Sequence, residues 1–328
     1  MALGMRIATG QVHELSDEFL QFAAQMGVSG VVMNTPALPG DQRWEFLDLL
    51  HLRTRCESYG LRLESIENVP LRFYDRAMLG LSDRDAQIAN YQETIRNVGR
   101  AGITVLGYHW MPNGVWSTST TTPTRGGARS RAFDASLVAN APLTHGRTYA
   151  DADMWASYEY FMTRVLPVAE ESGVTLALHP DDPPVPSLGG IARIMRNFEG
   201  FKRAMEIGNS PNHGLNFCMG CWSEMGEDVP RVIRFFGERG RLIYGHFRDV
   251  RGTSDQFQEC FLGEGNVNIV RAMQAFWDVG FKGFLIDDHV PQMVNDTVWG
   301  HRGRALSTGV MIGLLEAIRV FASGDKTS

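Results

Sequence analysis

An alternation repeated eight times constrains this chain more than any other feature. Short apolar runs occupy residues 6–10, 28–34, 61–68, 103–109, 174–179, 213–218, 242–246 and 284–288. Between and after them, apolar residues recur at helical spacing over 16–26, 41–59, 82–101, 151–172, 191–207, 229–239, 266–279 and 299–321. Glycines such as Gly27, Gly60, Gly102, Gly173 and Gly280 stand where those helical segments stop. A run without a polar face suits a strand covered on both sides, as in a parallel sheet. Eight strand–helix units in one chain are the signature of an α/β fold of the (β/α)8 barrel type. A doubly wound sheet also alternates, but no run is followed by G-x-G-x-x-G and no composition break halves the chain. The expectation is a single barrel domain over 1–328. Within it, residues 111–149 have no clear period and are rich in Thr, Ser, Gly, Arg and Pro. They read as a long irregular loop after the fourth strand, an insertion or lid. Ser82-Asp-Arg-Asp85 has the form of a capping box, with Asp where Glu or Gln is usual.

In such a barrel the active site forms at the C-terminal ends of the strands. The fifth run ends in His179, the sixth in Cys218 and the seventh in His246, and the eighth leads into Asp287, Asp288 and His289. One strand-tip histidine is ordinarily a satisfied polar group. Four consecutive tips with imidazole, thiol, imidazole and carboxylate form a donor set for a divalent transition ion. Softness favours Zn²⁺, and the mixed set also suits Mn²⁺ or Fe²⁺. Alternation sends Asp287 and Asp288 to opposite faces, and spacing leaves open which one faces inward. Cys218-Met-Gly-Cys221 has the C-x-x-C form, but no second pair or thioredoxin-like context accompanies it, so Cys221 reads as incidental. Cys56 and Cys260 read as packed thiols. His109 and Asn68 end strands at the same rim and are candidate substrate contacts. Arg248, two residues past His246, can take a carboxylate in bidentate fashion, or pair with Asp249 or a helix carboxylate. Gly263-Glu-Gly-Asn266 reads as a turn before a helix. His145, His301, Arg302 and Arg304 receive no assignment.

The 31 basic residues are outnumbered by 37 acidic ones, for a net charge of −6, and no basic stripe appears. That argues against a nucleic-acid partner and against a nuclease on a similar barrel. No run of about 18 apolar residues marks a membrane span, and the N-terminus lacks the layout of a signal peptide. Four cysteines do not make a disulfide framework in a chain this long. A cytoplasmic, reduced protein acting on a small molecule is expected.

Four motifs carry a resemblance. They are His179-Pro-Asp-Asp-Pro-Pro, Gly214-Leu-Asn-Phe-Cys218-Met-Gly, Gly245-His246-Phe-Arg248-Asp and Asp288-His289-Val-Pro. Together they resemble the mannonate dehydratase family, a branch of the xylose-isomerase-like barrels, from Glu14 to about Ile318. The resemblance implies dehydration of D-mannonate to 2-keto-3-deoxy-D-gluconate in hexuronate breakdown, with Mn²⁺ or Fe²⁺ rather than Zn²⁺, by a homo-oligomer. It implies His179, Cys218, His246 and Asp288 as metal ligands and His289 as a catalytic acid–base. The family also has a catalytic tyrosine downstream of that histidine. Here no tyrosine follows Tyr244, and the corresponding region reads Gly300-His-Arg-Gly-Arg-Ala-Leu306-Ser. A sugar isomerase or epimerase on the same metal barrel is the alternative, because it moves a proton without expelling water.

Overall fold

The computed structural model describes residues 4–323. Its first strands are β1 (Arg6–Ile7), β2 (Thr9–Val12), β3 (Gly30–Asn34), β4 (Arg62–Glu67) and β5 (Val105–Tyr108). There follow β6 (Ser119–Pro123), β7 (Arg129–Asp134), β8 (Thr175–Leu178), β9 (Ser187–Leu188) and β10 (Ile191–Ala192). The last are β11 (His213–Cys218), β12 (Leu242–His246), β13 (Asp249–Thr253), β14 (Gln256–Cys260) and β15 (Phe284–Ile286). One parallel sheet runs in the order β1-β15-β12-β11-β8-β5-β4-β3-β2. β1 pairs with β15 at Arg6↔Phe284, and β2 pairs with β3 at Thr9↔Val31. The two pieces flank Ala8, so one broken strand serves both edges and the sheet closes into a barrel.

Small and large side chains share the barrel interior: Ala8, Val32, Ala177, Tyr244, Phe284 and Ile286 are all buried there. A second layer, including Phe19, Leu20, Ile88, Phe161, Val165, Phe236 and Phe276, packs between strands and helices. Each such side chain contributes roughly 1.5–3 kcal/mol over its exposed state. Local chemistry marks the helix starts. Ser16, Asn197, Asp228 and Asn268 each accept a hydrogen bond from a first-turn backbone N–H. The expected capping box at Ser82 does not form. Helix Arg84–Arg100 starts after Asp83, which makes no side-chain cap and pairs with Arg76 instead.

Two further expectations change. Of the predicted helix over 191–207, Ile191–Ala192 is strand β10, paired with β9, and the helix proper is Phe198–Ile207 behind its Asn197 cap. The stretch 111–149 is not irregular throughout. It carries the hairpin β6–β7, which joins the hairpin β13–β14 in a four-stranded antiparallel sheet of order β13-β14-β7-β6. Phe133 and Phe257 are register partners with ring centroids 5.9 Å apart, and Val185, Leu188 and Val250 complete a small core. No local period announces these strands, because the partner that buries Phe133 lies more than a hundred residues away. β13 begins three residues after β12 ends, so the added sheet stands at the C-terminal end of the barrel.

The final helix, His301–Ser323, buries Met311, Leu315 and Ile318 against the barrel. By length and composition its stretch His301–Ala322 is apolar enough to cross a membrane, although Arg302, Arg304, Glu316 and Arg319 interrupt the apolar run.

Candidate metal centre and active site

His179 directly follows β8, Cys218 ends β11, and His246 ends β12 opposite Cys218 in the strand register. One donor atom from each of these three buried residues lies within 4.8 Å of the others. Asp288 Oδ2 is 3.4 Å from His246 Nδ1. β15 stops at Ile286, and Asp288 takes a left-handed backbone conformation with φ 50°, which is uncommon for a residue with a side chain. The turn decides between the two aspartates. Asp288 faces the histidines, whereas Asp287 accepts from the Gly10 N–H at 3.1 Å and from Arg304 Nη1 at 2.9 Å.

The imidazoles have orientations that would suit metal ligands. His179 Nδ1–H donates to the Pro180 carbonyl at 2.7 Å, which leaves Nε2 as the lone pair. His246 Nε2 is 2.9 Å from Glu67 Oε2, and its buried Nδ1 has no hydrogen-bond partner. A partnerless ring nitrogen facing a thiol and a carboxylate fits a metal ligand. Burial works against charge here, and the neighbours override it. The Cys218 thiol sits well below its usual range because of Cys221, Arg248, His179 and His246. Asp288 is held well below the carboxylate range by His246, His289 and Arg248. His246 is driven well above the imidazole range by Asp288, Glu67 and Cys218. A buried thiol and a buried carboxylate whose charged forms are favoured suit a divalent cation.

Arg248 does not reach the open cleft as expected of a substrate contact. It is 2% exposed. Nη1 donates to Asp182 at 3.1 Å and Glu259 at 3.0 Å, and Nη2 donates to Glu224 at 2.7 Å and to Cys221 Sγ at 3.4 Å. Nor is Asp249 its partner. That carboxylate accepts from the Gly263 and Gly265 N–H groups and closes the Gly263-Glu-Gly turn. Asp182, Cys221 and Glu224 bring a second trio of donor atoms within 4.8 Å, and Arg248 supplies the positive charge among them. Cys221 is accordingly not incidental: its Sγ accepts from Arg248, and its thiol lies against that of Cys218. A Cβ on Gly220 would stand 2.4 Å from Arg248 Nε, so the guanidinium requires glycine inside Cys218-Met-Gly-Cys221.

His289, next to Asp288, has a side chain 32% exposed. Its Nδ1 is 2.9 Å from Glu259 Oε1, and Arg131 Nη1 lies 2.9 and 3.1 Å from the two ring nitrogens. The β7–β14 register, carried one residue past Ala132↔Gln258, sets Arg131 opposite Glu259. The added sheet thus grips His289 from outside the barrel. Burial raises the Glu259 carboxyl, and His289, Arg248 and Arg131 bring it below its usual range. An ionised Glu259 accepts Nδ1–H, which leaves the Nε2 lone pair facing Arg131 Nη1 and the cavity that His289 lines. Sequence reasoning missed both Glu259 and Arg131, since nothing local marks either one.

A cavity of about 220 Å³ is lined by Asn68, His109, Arg131, His179, Asp288 and His289, among others. His109 and Asn68 thus reach the place expected of them. His109 Nδ1 accepts from the Met111 N–H at 3.2 Å, and burial, His179 and Arg193 lower its pKa to about 3, so the ring is neutral. At Gln11, Arg131 and His289 this cavity adjoins a wider one of about 720 Å³. Among the described residues no tyrosine lines either cavity. His301 turns to Asp296 at 2.9 Å, Arg302 bonds the Val294 carbonyl, and His145 bonds Thr144. Tyr244 lies beneath the site and donates to Glu67 at 3.0 Å.

The model of the D-mannonate dehydratase (UxuA) family matches residues 13–146 and 141–324. The chain belongs to the mannonate dehydratase family. A mannonate dehydratase of Thermotoga maritima is 32% identical over 336 residues, covering 89% of this chain and 91% of that one. Mannonate dehydratase 2 of Halalkalibacterium halodurans is 31% identical, covering 91% and 95%. The crystal structure of a mannonate dehydratase from Streptococcus suis superposes with a TM-score of 0.89 at 29% identity, over 98% of this chain and 96% of that one. An L-ribulose 3-epimerase shares the fold alone, with a TM-score of 0.63 at 15% identity, over 100% and 99%. The barrel and the family read from the strand ends are both borne out.

Proposed function

We propose that the protein is a metal-dependent hydro-lyase converting D-mannonate to 2-keto-3-deoxy-D-gluconate and water. The observation that carries this is the convergence of His179, Cys218 and His246 within 4.8 Å beside Asp288, under a cavity that His289 also lines. Family membership supports the substrate. His179, Cys218, His246 and Asp288 would hold the ion. Mn²⁺ or Fe²⁺ is the reading that the family resemblance favours, although the thiolate and imidazoles also suit Zn²⁺. When bound, such an ion stabilises the negative charge that develops beside the acid's carboxylate as the C2 proton leaves.

The chain's own groups would do the rest. His289, oriented by Glu259, exchanges a proton at C2 or at the C3 hydroxyl, which departs as water. The enol tautomerises to the 2-keto-3-deoxy acid. Neutral His109 and Asn68 contact the sugar hydroxyls. Arg248 keeps the Cys218 thiolate and Asp288 in place from below. Residues 111–149 act as a lid that excludes bulk water. Four free cysteines suit a reducing compartment, and a cytoplasmic homo-oligomer is the corresponding reading.

An epimerase reading has one observation in its favour, the absence of tyrosine from both cavities among the described residues. The two readings differ in product. Protein loaded with Mn²⁺ or Fe²⁺ is incubated with D-mannonate and assayed for 2-keto-3-deoxy acid. Its formation is the expected result. A fully metallated protein that forms an isomeric sugar acid, or nothing, overturns the proposal.

A further inference from the structure

The substrate proposed above is an anion, and three carboxylates, Glu67, Asp182 and Asp288, line the inner cavity beside His109, His179 and His289. The ion proposed above offsets part of that charge, and a bidentate grip on the acid's own carboxylate needs a cationic side chain. Arg248 is committed to four carboxylates, those of Asp182, Glu224, Glu259 and Asp288. Arg304 is bonded to Asp287 and to backbone carbonyls, and Arg193 is buried beside Asp181. Arg131 differs from all of these. It lines both cavities, it is half-buried, and among the described residues no carboxylate lies within ion-pair distance of it. Its guanidinium hydrogen-bonds the His289 ring. Its backbone is held in β7, with Phe133 packed in the small core two residues on, so the guanidinium is carried by a paired strand and not by a free loop.

We infer that Arg131 is the carboxylate clamp of this enzyme, the residue that selects sugar acids over neutral sugars. The planar fork of a guanidinium matches a carboxylate in bidentate fashion. Placed against His289, it sets the acid end of the substrate beside the proton-transfer group. The clamp comes from a hairpin outside the barrel, so a barrel lacking that hairpin would lack the selectivity. This inference rests on the proposed sugar-acid substrate.

The test compares the metal-loaded wild type with Arg131→Met and Arg131→Lys. Calorimetric binding is measured with D-mannonate and with D-mannitol, its neutral counterpart, alongside KM and kcat. Metal content and Tm serve as controls for folding. A hydrogen-bonded charge is worth enough for mannonate to bind roughly 10–100-fold more weakly to Arg131→Met. Arg131→Lys should fall between, and mannitol binding should not move. Unchanged mannonate binding by Arg131→Met overturns the inference, as does an equal loss for mannitol. Where the methionine variant fails to fold, Arg131→Lys is judged by the same two outcomes. Should wild type bind mannonate without forming keto acid, the function fails while the clamp is still judged by the binding arm.

Discussion

Glu259 offers the sharpest test of how the added sheet serves the chemistry. Its Oε1 takes two donors, the His289 Nδ1–H at 2.9 Å and Arg248 Nη1 at 3.0 Å. In Glu259→Gln the amide oxygen still faces both donors, because the amide nitrogen has nothing to offer either one. The tautomer of His289 is kept and only the charge on the acceptor is lost. A charge-assisted hydrogen bond exceeds a neutral one by about 1 kcal/mol, so kcat should fall about 5–10-fold. Glu259→Leu removes the acceptor and frees the ring to turn. Where a buried carboxylate orients a catalytic histidine, loss of the correct tautomer costs about 10⁴ in kcat. His289 is one-third exposed, so water replaces part of that bond and a fall on the order of 10²-fold is expected. The assay is keto-acid formation by protein of measured metal content, with Tm recorded. A leucine variant within about twofold of wild type refutes the orienting role. So does a glutamine variant as impaired as the leucine one, because it would assign the whole effect to charge.

Three further outcomes are expected. His289→Asn should retain its metal and lose at least about 100-fold in turnover, the usual range for a general acid–base; unchanged turnover would remove His289 from the mechanism. Cys218→Ser should weaken metal binding by more than the roughly 10–100-fold typical of a group behind a ligand, measured by competition with a chelator; full retention would exclude Cys218 from the ligand set. In the core, His213 accepts from Tyr108 OH at 2.8 Å and donates to the Gly208 carbonyl at 2.9 Å, and chiefly burial lowers its pKa to about 4. The unfolded chain takes up that proton near pH 6.5 and the folded one near 4, so stability is complete above 6.5 and declines as the pH falls toward 4. The decline is at most about 3 kcal/mol. Urea unfolding of wild type and His213→Gln at about pH 7 and about pH 4.5, on either side of the unfolded-state value, should show a smaller pH effect in the variant, and an equal effect would contradict it.

Some of this was legible residue by residue. Eight apolar runs between helical segments dictate a barrel, because backbone hydrogen bonding leaves few ways to cover so many two-faced strands. A barrel in turn fixes which end of each strand carries chemistry, and that brought His179, Cys218, His246 and Asp288-His289 to one rim. Periodicity says where a strand ends. It does not say how the chain turns beyond that end. The choice between Asp287 and Asp288 belonged to a left-handed residue after β15, outside the reach of alternation. Arg248 was visible as a cation near the site, but its partners Asp182, Glu224 and Glu259 come from three separate elements, and their convergence turned an expected substrate contact into a buried support. Arg131 and Glu259 were invisible for the same reason. Each is an ordinary charged residue in a polar strand until β7 and β14 pair across more than a hundred residues and close on His289. Local periods determined the barrel and its rim, and long-range pairing alone decided which charges meet there.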